Sequence, residues 1–416
     1  MERFTGVLGI LLILGVAYAF SNNRKAINYR LVFSGLALQI TLAVLILRVP
    51  PVKMFFQFLG HGMEKIEAFA REGAAFVYGG IGAMNKSGVL TDFRVPGSFV
   101  FAFSIPATII LVCVIVNIFY HYGIMQRLVM FIARGVHFIM GASGSETLSN
   151  VASAFVGQVE AQVMIRPYLA GMTRSELLTS MAGSMACIAG GILVIYVNMG
   201  VPAEYLIAAS LMAAPAAIVI SKIVYPETEV SQTKGKVSIE VKTGFSNIID
   251  AVSHGASDGM KISINVIAML IGFIALIALI NYILGKINAL AGYPMQELSL
   301  NVLFSYLFAP FAFCMGVPKD EVFKVAGLMG QKLSINEFVA YLNLTAIKST
   351  LSPKALVIAS FALCGFANFS SVGIQIGGIG ELAPERRTDL AQLGMRALLC
   401  GTLASYLSAT IAGILF

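Results

Sequence analysis

Charge is scarce in this chain. Of its 416 residues only 12% are Asp, Glu, Lys or Arg, while 58% are hydrophobic and the mean hydropathy is +0.85. A soluble domain carries about 25% charged residues, so a water-soluble globule is excluded and a polytopic membrane protein is expected. The formal net charge of +7 is small and dispersed, which speaks against a nucleic-acid partner. Cysteine is also sparse. Cys113, Cys187, Cys314, Cys364 and Cys400 all fall in apolar segments and none forms a CxxC pair, so they read as small buried thiols. The four histidines, at 61, 121, 137 and 254, show no HExxH or paired-ligand spacing, so no structural metal is expected. Long acidic motifs are missing too. Asp250, Asp258 and Asp389 are scattered and unpaired, which leaves little support for a membrane enzyme with an acidic metal motif.

What the chain has is long apolar runs. A span takes about 20 mostly apolar residues, and full spans are read near 3–20, 29–48, 99–119, 179–198, 204–223, 262–284, 354–380 and 390–414. The first ends in Ala17-Tyr18-Ala19, which resembles a signal-peptidase site. The only basic residue ahead of it is Arg3, beside Glu2, and Arg24 and Lys25 follow at once, so a membrane helix is the better reading. Basic residues cluster in alternate loops: Arg24, Lys25 and Arg30; His121, Arg127 and Arg134; Lys222, Lys234, Lys236, Lys242 and Lys261; Arg386, Arg387 and Arg396. By the positive-inside rule these loops are cytoplasmic and both termini external.

Other segments do not fit as spans. Residues 51–75 mix apolar Met54, Phe55, Phe58, Met63, Ile66 and Phe69 with charges, as an interfacial helix does. A second, more apolar segment of this kind, Leu298 to Met315 with Pro310 inside it, lies within 285–320. Residues 226–245 read as a polar, flexible cytoplasmic linker. Residues 143–170 begin and end on the cytoplasmic side and predict a re-entrant hairpin with Val156-Gly157-Gln158 at its tip. Residues 321–348, with Asn336 and Glu337, predict a second hairpin entered from outside. Such backbone is tolerated at membrane depth only inside protein or along a cavity. A Gly- and Ser-rich interrupted span follows each hairpin, and one plain span follows that. The shared order, entered from opposite faces, is the pattern of an inverted-repeat transporter with a midplane site.

Four polar clusters then converge: Gln158 with Glu160, Asn336 with Glu337, the break at 187–192, and Asn368 with Ser370 and Ser371. An ionisable group within the membrane points to function. A lone Ser such as Ser370 is often interhelical glue, and Gly190 and Gly191 also serve close helix packing, so the clusters count chiefly together. Amides, hydroxyls and carboxylates suit a polar uncharged solute such as a sugar or nucleobase. Phe366 and Phe369 offer apolar faces for a planar ring. The absence of Lys and Arg from the clusters disfavours an anionic solute.

These residues resemble a known family. Val156-Gly157-Gln158-Val159-Glu160-Ala161, Ile188-Ala189-Gly190-Gly191, Asn336-Glu337-Phe338-Val339-Ala340-Tyr341 and Cys364-Gly365-Phe366-Ala367-Asn368-Phe369-Ser370-Ser371 look like the concentrative nucleoside transporters. Ser21-Asn22-Asn23-Arg24-Lys25-Ala26-Ile27 and Pro226-Glu227-Thr228-Glu229 extend the likeness to nearly the whole chain. The resemblance implies an all-α polytopic homotrimer of eight spans with two re-entrant hairpins and interfacial helices, in a bacterial inner membrane. It implies an elevator motion and the import of nucleosides such as uridine. The expected division is scaffold 1–119, first half of a transport domain 120–225, linker 226–261, scaffold helix 262–284, and second half of the transport domain 285–416. Gly157, Gln158 and Glu160 are implied to read the base, with Ile192 as an apolar contact. Val159 stands where the family commonly has Thr, which removes a hydroxyl from the base. Glu337, Asn368 and Ser371 are implied to hold the ribose, with Phe366 close by.

The coupling ion expected from the resemblance is sodium, with no other cofactor. Its implied ligands are the side chains at Ser153 and Cys187 and the carbonyls of Val156 and Ile188. The family's sodium-coupled members carry Asn and Ser or Thr at the first two. Sodium prefers oxygen to sulfur, so Cys187 offers only its carbonyl. The site is then weakened, completed by water, or replaced by proton coupling. A variant that binds nucleosides but scarcely transports them is a further alternative.

Overall fold

The computed structural model describes residues 2–78, 83–84, 90–91, 101–235, 245–290 and 298–416. Residues 99–100 of the third predicted span, 236–244 of the predicted linker and 291–297, ahead of the second predicted interfacial segment, lie outside them. The chain opens with helix α1 (Glu2–Ala19), then α2 (Tyr29–Arg48) and α3 (Pro50–Tyr78). Asn28 starts α2 by accepting from the Leu31 amide at 3.2 Å, a side-chain cap for a helix end that would otherwise be unsatisfied. A two-residue antiparallel ladder, Ala83–Met84 against Leu90–Thr91, is the strand content of the described residues. Next come α4 (Phe101–His121) and α5 (Ile124–Met140), bent 77° apart about Gly123.

Hairpin one follows as α6 (Gly144–Ser153), α7 (Glu160–Val163) and α8 (Arg166–Leu169). The broken span is α9 (Arg174–Ala186) and α10 (Gly190–Asn198), and the plain span is α11 (Ala203–Val224). The long α12 (Ile248–Leu290) leads to α13 (Leu300–Cys314). Hairpin two is α14 (Val322–Ser334) and α15 (Glu337–Ile347), its broken span α16 (Pro353–Leu363) and α17 (Phe369–Leu382), and the last helix α18 (Arg387–Leu415). Helices therefore occupy the described part of every predicted span, and the first hairpin turns around Val156-Gly157-Gln158, the tip read from the sequence.

The order hairpin, broken helix, plain helix occurs twice. α11 and the C-terminal part of α18 form the buried centre, with side chains such as Met212, Ile218, Tyr406 and Leu407 fully enclosed. α9 packs on α11 and α18, and α16 packs on α18. A helix apolar all round belongs in such a place. The two breaks touch. Gly365 has φ of +106°, and a Cβ there would lie 2.3 Å from the Ala186 carbonyl oxygen, so both its conformation and the close approach require glycine.

Three expectations change. The stretch after the third span is not a plain loop: α5 buries Met125, Val129, Ala133, Val136 and Met140 while Phe131 and Phe138 are exposed. Residues 226–233 are not a free linker. Gly144 N donates to Thr233 O at 3.1 Å, Ser231 Oγ to Glu176 Oε1 at 2.5 Å, and Thr173 Oγ1 to Glu227 Oε2 at 2.8 Å. This segment is thus tied to the helix starts of α6 and α9, where amides and capping carboxylates gather. Finally, residues 1–119 fall into two packing groups, because α1 and α2 lie against α18 and α11 while α4 lies along α12.

Candidate functional site

Both hairpins and both breaks open onto one cavity of about 260 Å³. Its first-half wall is the hairpin-one tip, Gly157 to Glu160, with Ala189, Ile192, Ile195 and Tyr196 beyond the first break. Its second-half wall is Asn336, Glu337 and Phe338 with Phe366, Asn368, Ser370, Ser371 and Ile374. Helix α12 closes a side with Ile262, Asn265 and Val266. All nine residues expected to meet the solute, Gly157, Gln158, Val159, Glu160, Ile192, Glu337, Phe366, Asn368 and Ser371, line this space.

The second-half end is held by a closed set of hydrogen bonds. Asn336 caps α15 by accepting from the Val339 amide at 3.0 Å, and Asn368 caps α17 by accepting from the Ser371 amide at 2.9 Å. These caps place Glu337 and Asn368 at helix starts that face the cavity. The Glu337 carboxylate accepts from Tyr196 Oη and from Asn368 Nδ2, each at 3.1 Å. The Tyr196 ring lies 4.4 Å from that of Tyr341, and Tyr341 Oη donates to Ser360 O at 2.7 Å. A buried carboxylate needs such donors, and this one keeps lone pairs for the hydroxyls of a solute.

The first-half end is looser. The Glu160 carboxylate folds over Gly157, where a Cβ would lie 2.0 Å from Oε2, and Glu160 is exposed to the cavity side. Gln158 joins the two ends. Its Nε2 donates to Ser371 Oγ at 3.4 Å and its Oε1 accepts from Gln375 Nε2 at 3.3 Å. Gln375 also donates to Met181 O at 3.1 Å. Val159 lies against α17, close to Gly378. A smaller cavity of about 120 Å³ adjoins the first, sharing Gly157, Glu160, Ala189, Ile192 and Ile262, and reaches Asn117, Tyr120 and Asp258.

Two expectations about side chains shift. Phe366 lines the cavity, but Phe369 is half-exposed at the start of α17 and does not. Ser370 is turned inward, its Oγ donating to Asn368 Oδ1 at 2.7 Å. Tyr196, Gln375, Asn265 and Ile262 were not foreseen. Gln375 falls one helical turn after Ser371, a spacing that puts both on one face. Tyr196 follows Ile192 by the same interval. Nothing in the sequence pairs α12 with the cavity.

The residues proposed for the coupling ion sit around the first break. Ser153 Oγ donates to Ser149 O at 2.8 Å and lies 2.9 Å from Ser184 Oγ. Ser184 Oγ accepts from Gln162 Nε2 at 2.7 Å. The buried Cys187 thiol points to Ser210 O at 3.6 Å, and Ser210 Oγ lies 3.3 Å from Ile188 O and 3.4 Å from Ala154 O. Val156 is buried, and its amide donates to Ala152 O at 3.0 Å. Oxygen atoms of Ser153, Ser184 and Ser210 and carbonyls of the α6 and α9 ends thus surround the break. Ser184 and Ser210 are additions to the predicted set. No cluster of three or more His, Cys, Asp or Glu occurs among the described residues.

Comparison with known proteins covers most of the chain. The family model for the Na+ dependent nucleoside transporter C-terminus matches residues 205–413, the one for its N-terminus residues 8–81, and a nucleoside recognition (Gate) model residues 102–203. The uncharacterized transporter YutK of Bacillus subtilis is 41% identical over 415 residues, with both chains covered in full. The nucleoside permease NupC of Helicobacter pylori is 37% identical, covering 98% of this chain and 96% of its own. Human sodium/nucleoside cotransporter 1 is also 37% identical, covering all of this chain and 64% of its own. A solved structure of CNTnw, in an inward-facing substrate-bound state, superposes with a TM-score of 0.92 at 38% identity, covering 100% of this chain and 98% of that one. A doubly substituted CNTnw in an outward-facing state gives 0.91, at the same identity and coverage.

Proposed function

The chain belongs to the Na+ dependent nucleoside transporter family, and on that premise we propose that it is a cation-coupled symporter importing nucleosides such as uridine across the cell membrane. The single observation that carries this reading is the cavity where both hairpins and both breaks converge, with carboxylates, amides and hydroxyls on its wall and no Lys or Arg among the described residues that line it. Such a lining recognises a neutral solute bearing several hydroxyls and a planar ring. Glu337, Asn368 and Ser371 take the sugar. Gln158, Glu160 and the backbone at Gly157 take the base, with Ile192 and Phe366 as apolar walls and Val159 contributing no hydroxyl.

Alternating access in this reading is an elevator motion. α4 and α12 belong to a trimeric scaffold, and the hairpins, broken helices, α11 and α18 travel together, with α1 and α2 packed against them. The chain crosses a bacterial inner membrane eight times with both termini external. Sodium is the coupling ion, held by Ser153 and the carbonyls of Val156, Cys187 and Ile188. Each charge moved inward gains about 2.3 kcal/mol per 100 mV, which corresponds to about fiftyfold accumulation from the potential alone.

A second reading rests on the thiol at 187 and on the Ser153 hydroxyl, which is engaged by Ser149 and Ser184: the coupling ion is a proton. Labelled uridine uptake into proteoliposomes separates these. Uptake driven by an inward sodium gradient at constant pH supports sodium. Uptake indifferent to sodium but driven by an acid exterior supports the proton. No nucleoside uptake under either gradient refutes the symporter.

A further inference from the structure

Among the buried charges that the transport reading leaves unused, Lys332 stands apart from the paired Lys222 and Glu146. Lys332, two residues before the end of α14, is 1% exposed. Its ammonium donates to Ala362 O at 2.9 Å, Cys364 O at 3.0 Å and Ser405 Oγ at 3.2 Å. Those three acceptors match its three protons. None is a carboxylate, and no ion pair to Lys332 occurs among the described residues. A buried ammonium without a counter-ion is costly, so its location needs a compensating field. The field is the C-terminal end of α16, where unpaired carbonyls carry partial negative charge.

The surroundings repeat in the two halves. In each, a half-helix ends at a cysteine: α9 at Cys187 and α16 at Cys364. Both thiols point to carbonyls of α11 one turn apart, Cys187 to Ser210 O and Cys364 to Leu206 O at 3.8 Å. In each, a serine from the following plain span reaches a carbonyl of the break. Ser210 Oγ lies 3.3 Å from Ile188 O, and Ser405 Oγ lies 2.9 Å from Cys364 O. In each, a residue from the last turn of the hairpin's first helix reaches the broken half-helix, Ser153 of α6 meeting Ser184 of α9 and Lys332 of α14 meeting Ala362 O and Cys364 O at the end of α16. The halves differ in charge. Among the described residues no Lys or Arg bonds to the end of α9, whereas the end of α16 accepts from the Lys332 ammonium of α14. Half-helix C-termini and unwound carbonyls are where transporters of this architecture hold their ions.

We propose that Lys332 is a tethered cation, standing in the second half where the first half takes the coupling ion, and that it positions the sugar-binding pair Glu337 and Asn368. The inference rests on the nucleoside-symporter reading for the role of that pair. Lys332 fixes Ala362 O and Cys364 O, and Asn368 follows four residues after Cys364. Glu337 follows five residues after Lys332 on the same hairpin. The ammonium therefore ties the hairpin to the break at the one point from which both sugar ligands depart. The sugar end is held in place without an exogenous ion, while the first break remains dependent on one. Lys332 touches no solute and is a positioning residue.

Uridine binding to purified, full-length, detergent-solubilised variants tests this. Lys332→Met, a neutral side chain of similar length, is expected to weaken uridine binding by about ten- to hundredfold at every sodium concentration and pH. Lys332→Ala is expected to bind weakly in choline buffer and to regain uridine binding as propylammonium is added, because that amine replaces the missing stem and charge. The unsubstituted chain should be indifferent to the amine. A monodisperse Lys332→Met protein that binds uridine within twofold of the unsubstituted chain overturns the proposal. So does a Lys332→Ala protein that propylammonium does not rescue. If Lys332→Met cannot be purified, Lys332→Ala prepared in propylammonium throughout takes its place, and failure to bind uridine there also overturns it. Failure of the unsubstituted chain to bind any nucleoside refutes the symporter reading instead.

Discussion

Replacing Glu337 with Gln tests the proposed sugar end of the site. The carboxylate accepts from Tyr196 Oη on one oxygen and from Asn368 Nδ2 on the other, each at 3.1 Å. Asn368 cannot reverse its amide, because its Oδ1 is held by the Ser371 amide and by Ser370 Oγ. A Gln at 337 must therefore turn its oxygen to Asn368 and its NH2 to Tyr196, whose hydroxyl oxygen can accept. The fold keeps both contacts, so the melting temperature should fall little. What disappears is a charged acceptor for the solute. Hydrogen bonds to charged groups contribute about 1.5–3 kcal/mol, or about 10- to 150-fold in affinity. Calorimetric titration of the Glu337→Gln protein with uridine should show that loss. Repeating the titration with 2′-deoxyuridine and 3′-deoxyuridine localises it. The penalty for removing the hydroxyl that Glu337 accepts from should largely vanish in the variant, as a double cycle requires for two groups in contact. Undiminished discrimination against both deoxynucleosides, or affinity within twofold of the unsubstituted chain, would refute the placement of the ribose.

Gly365→Ala should lower the melting temperature by an amount matching about 2 kcal/mol or more, since φ of +106° is unfavourable for a Cβ and the new atom meets the Ala186 carbonyl at 2.3 Å; scanning fluorimetry reads it, and an unchanged melting point means the breaks do not touch. Gln375→Ala should raise the uptake KM by about two- to tenfold, the range for losing a neutral hydrogen bond, because Gln158 then lacks the amide that holds its Oε1. Ser153→Asn should sharpen the sodium dependence of uridine uptake, measured as the sodium concentration for half-maximal rate; no change in that concentration removes position 153 from the ion site.

The architecture was legible because its signals are local. Span lengths, basic loops and the Gly- and Ser-rich interruptions each lie within about 20 residues, the scale on which hydropathy and periodicity act. The caps that begin α15 and α17 are local as well, being Asn336 and Asn368 bonded to amides three residues on. Helix α5 was legible in principle through the spacing of Met125, Val129, Ala133, Val136 and Met140, but a basic stretch with half its face apolar is easily taken for a loop. The pairings inside the site are not local. Tyr196 and Glu337 are 141 positions apart, and Gln158 and Ser371 are 213 apart, so no window of sequence contains both partners. The docking of residues 226–233 escaped notice for another reason. Polar residues that satisfy helix starts have the same composition as a solvated linker, and only their partners distinguish them.

In the proposed symporter, the contact between the two breaks gives the coupling of ion to solute a physical basis. Gly365, three residues before Asn368, lies against the carbonyl of Ala186, which directly precedes Cys187 and Ile188. An ion drawn to the carbonyls after Ala186 sets the path of the chain there, and with it the seat on which Gly365 rests. Phe366 and Asn368 follow directly, so the second-half wall of the cavity is registered to the first break by backbone contact, with no long relay of side chains between them. Gln158 adds a second tie, since it is bonded across the site to Ser371 and Gln375, and Gln375 in turn to Met181 on α9. An arrangement of this kind couples the sites only if the first break has two states that ion and solute both favour unequally. Because linkage is reciprocal, raising the coupling-cation concentration should tighten uridine binding by the same factor by which uridine tightens the cation, and Gly365→Ala, by separating the breaks, should reduce that factor toward one even where uridine itself still binds.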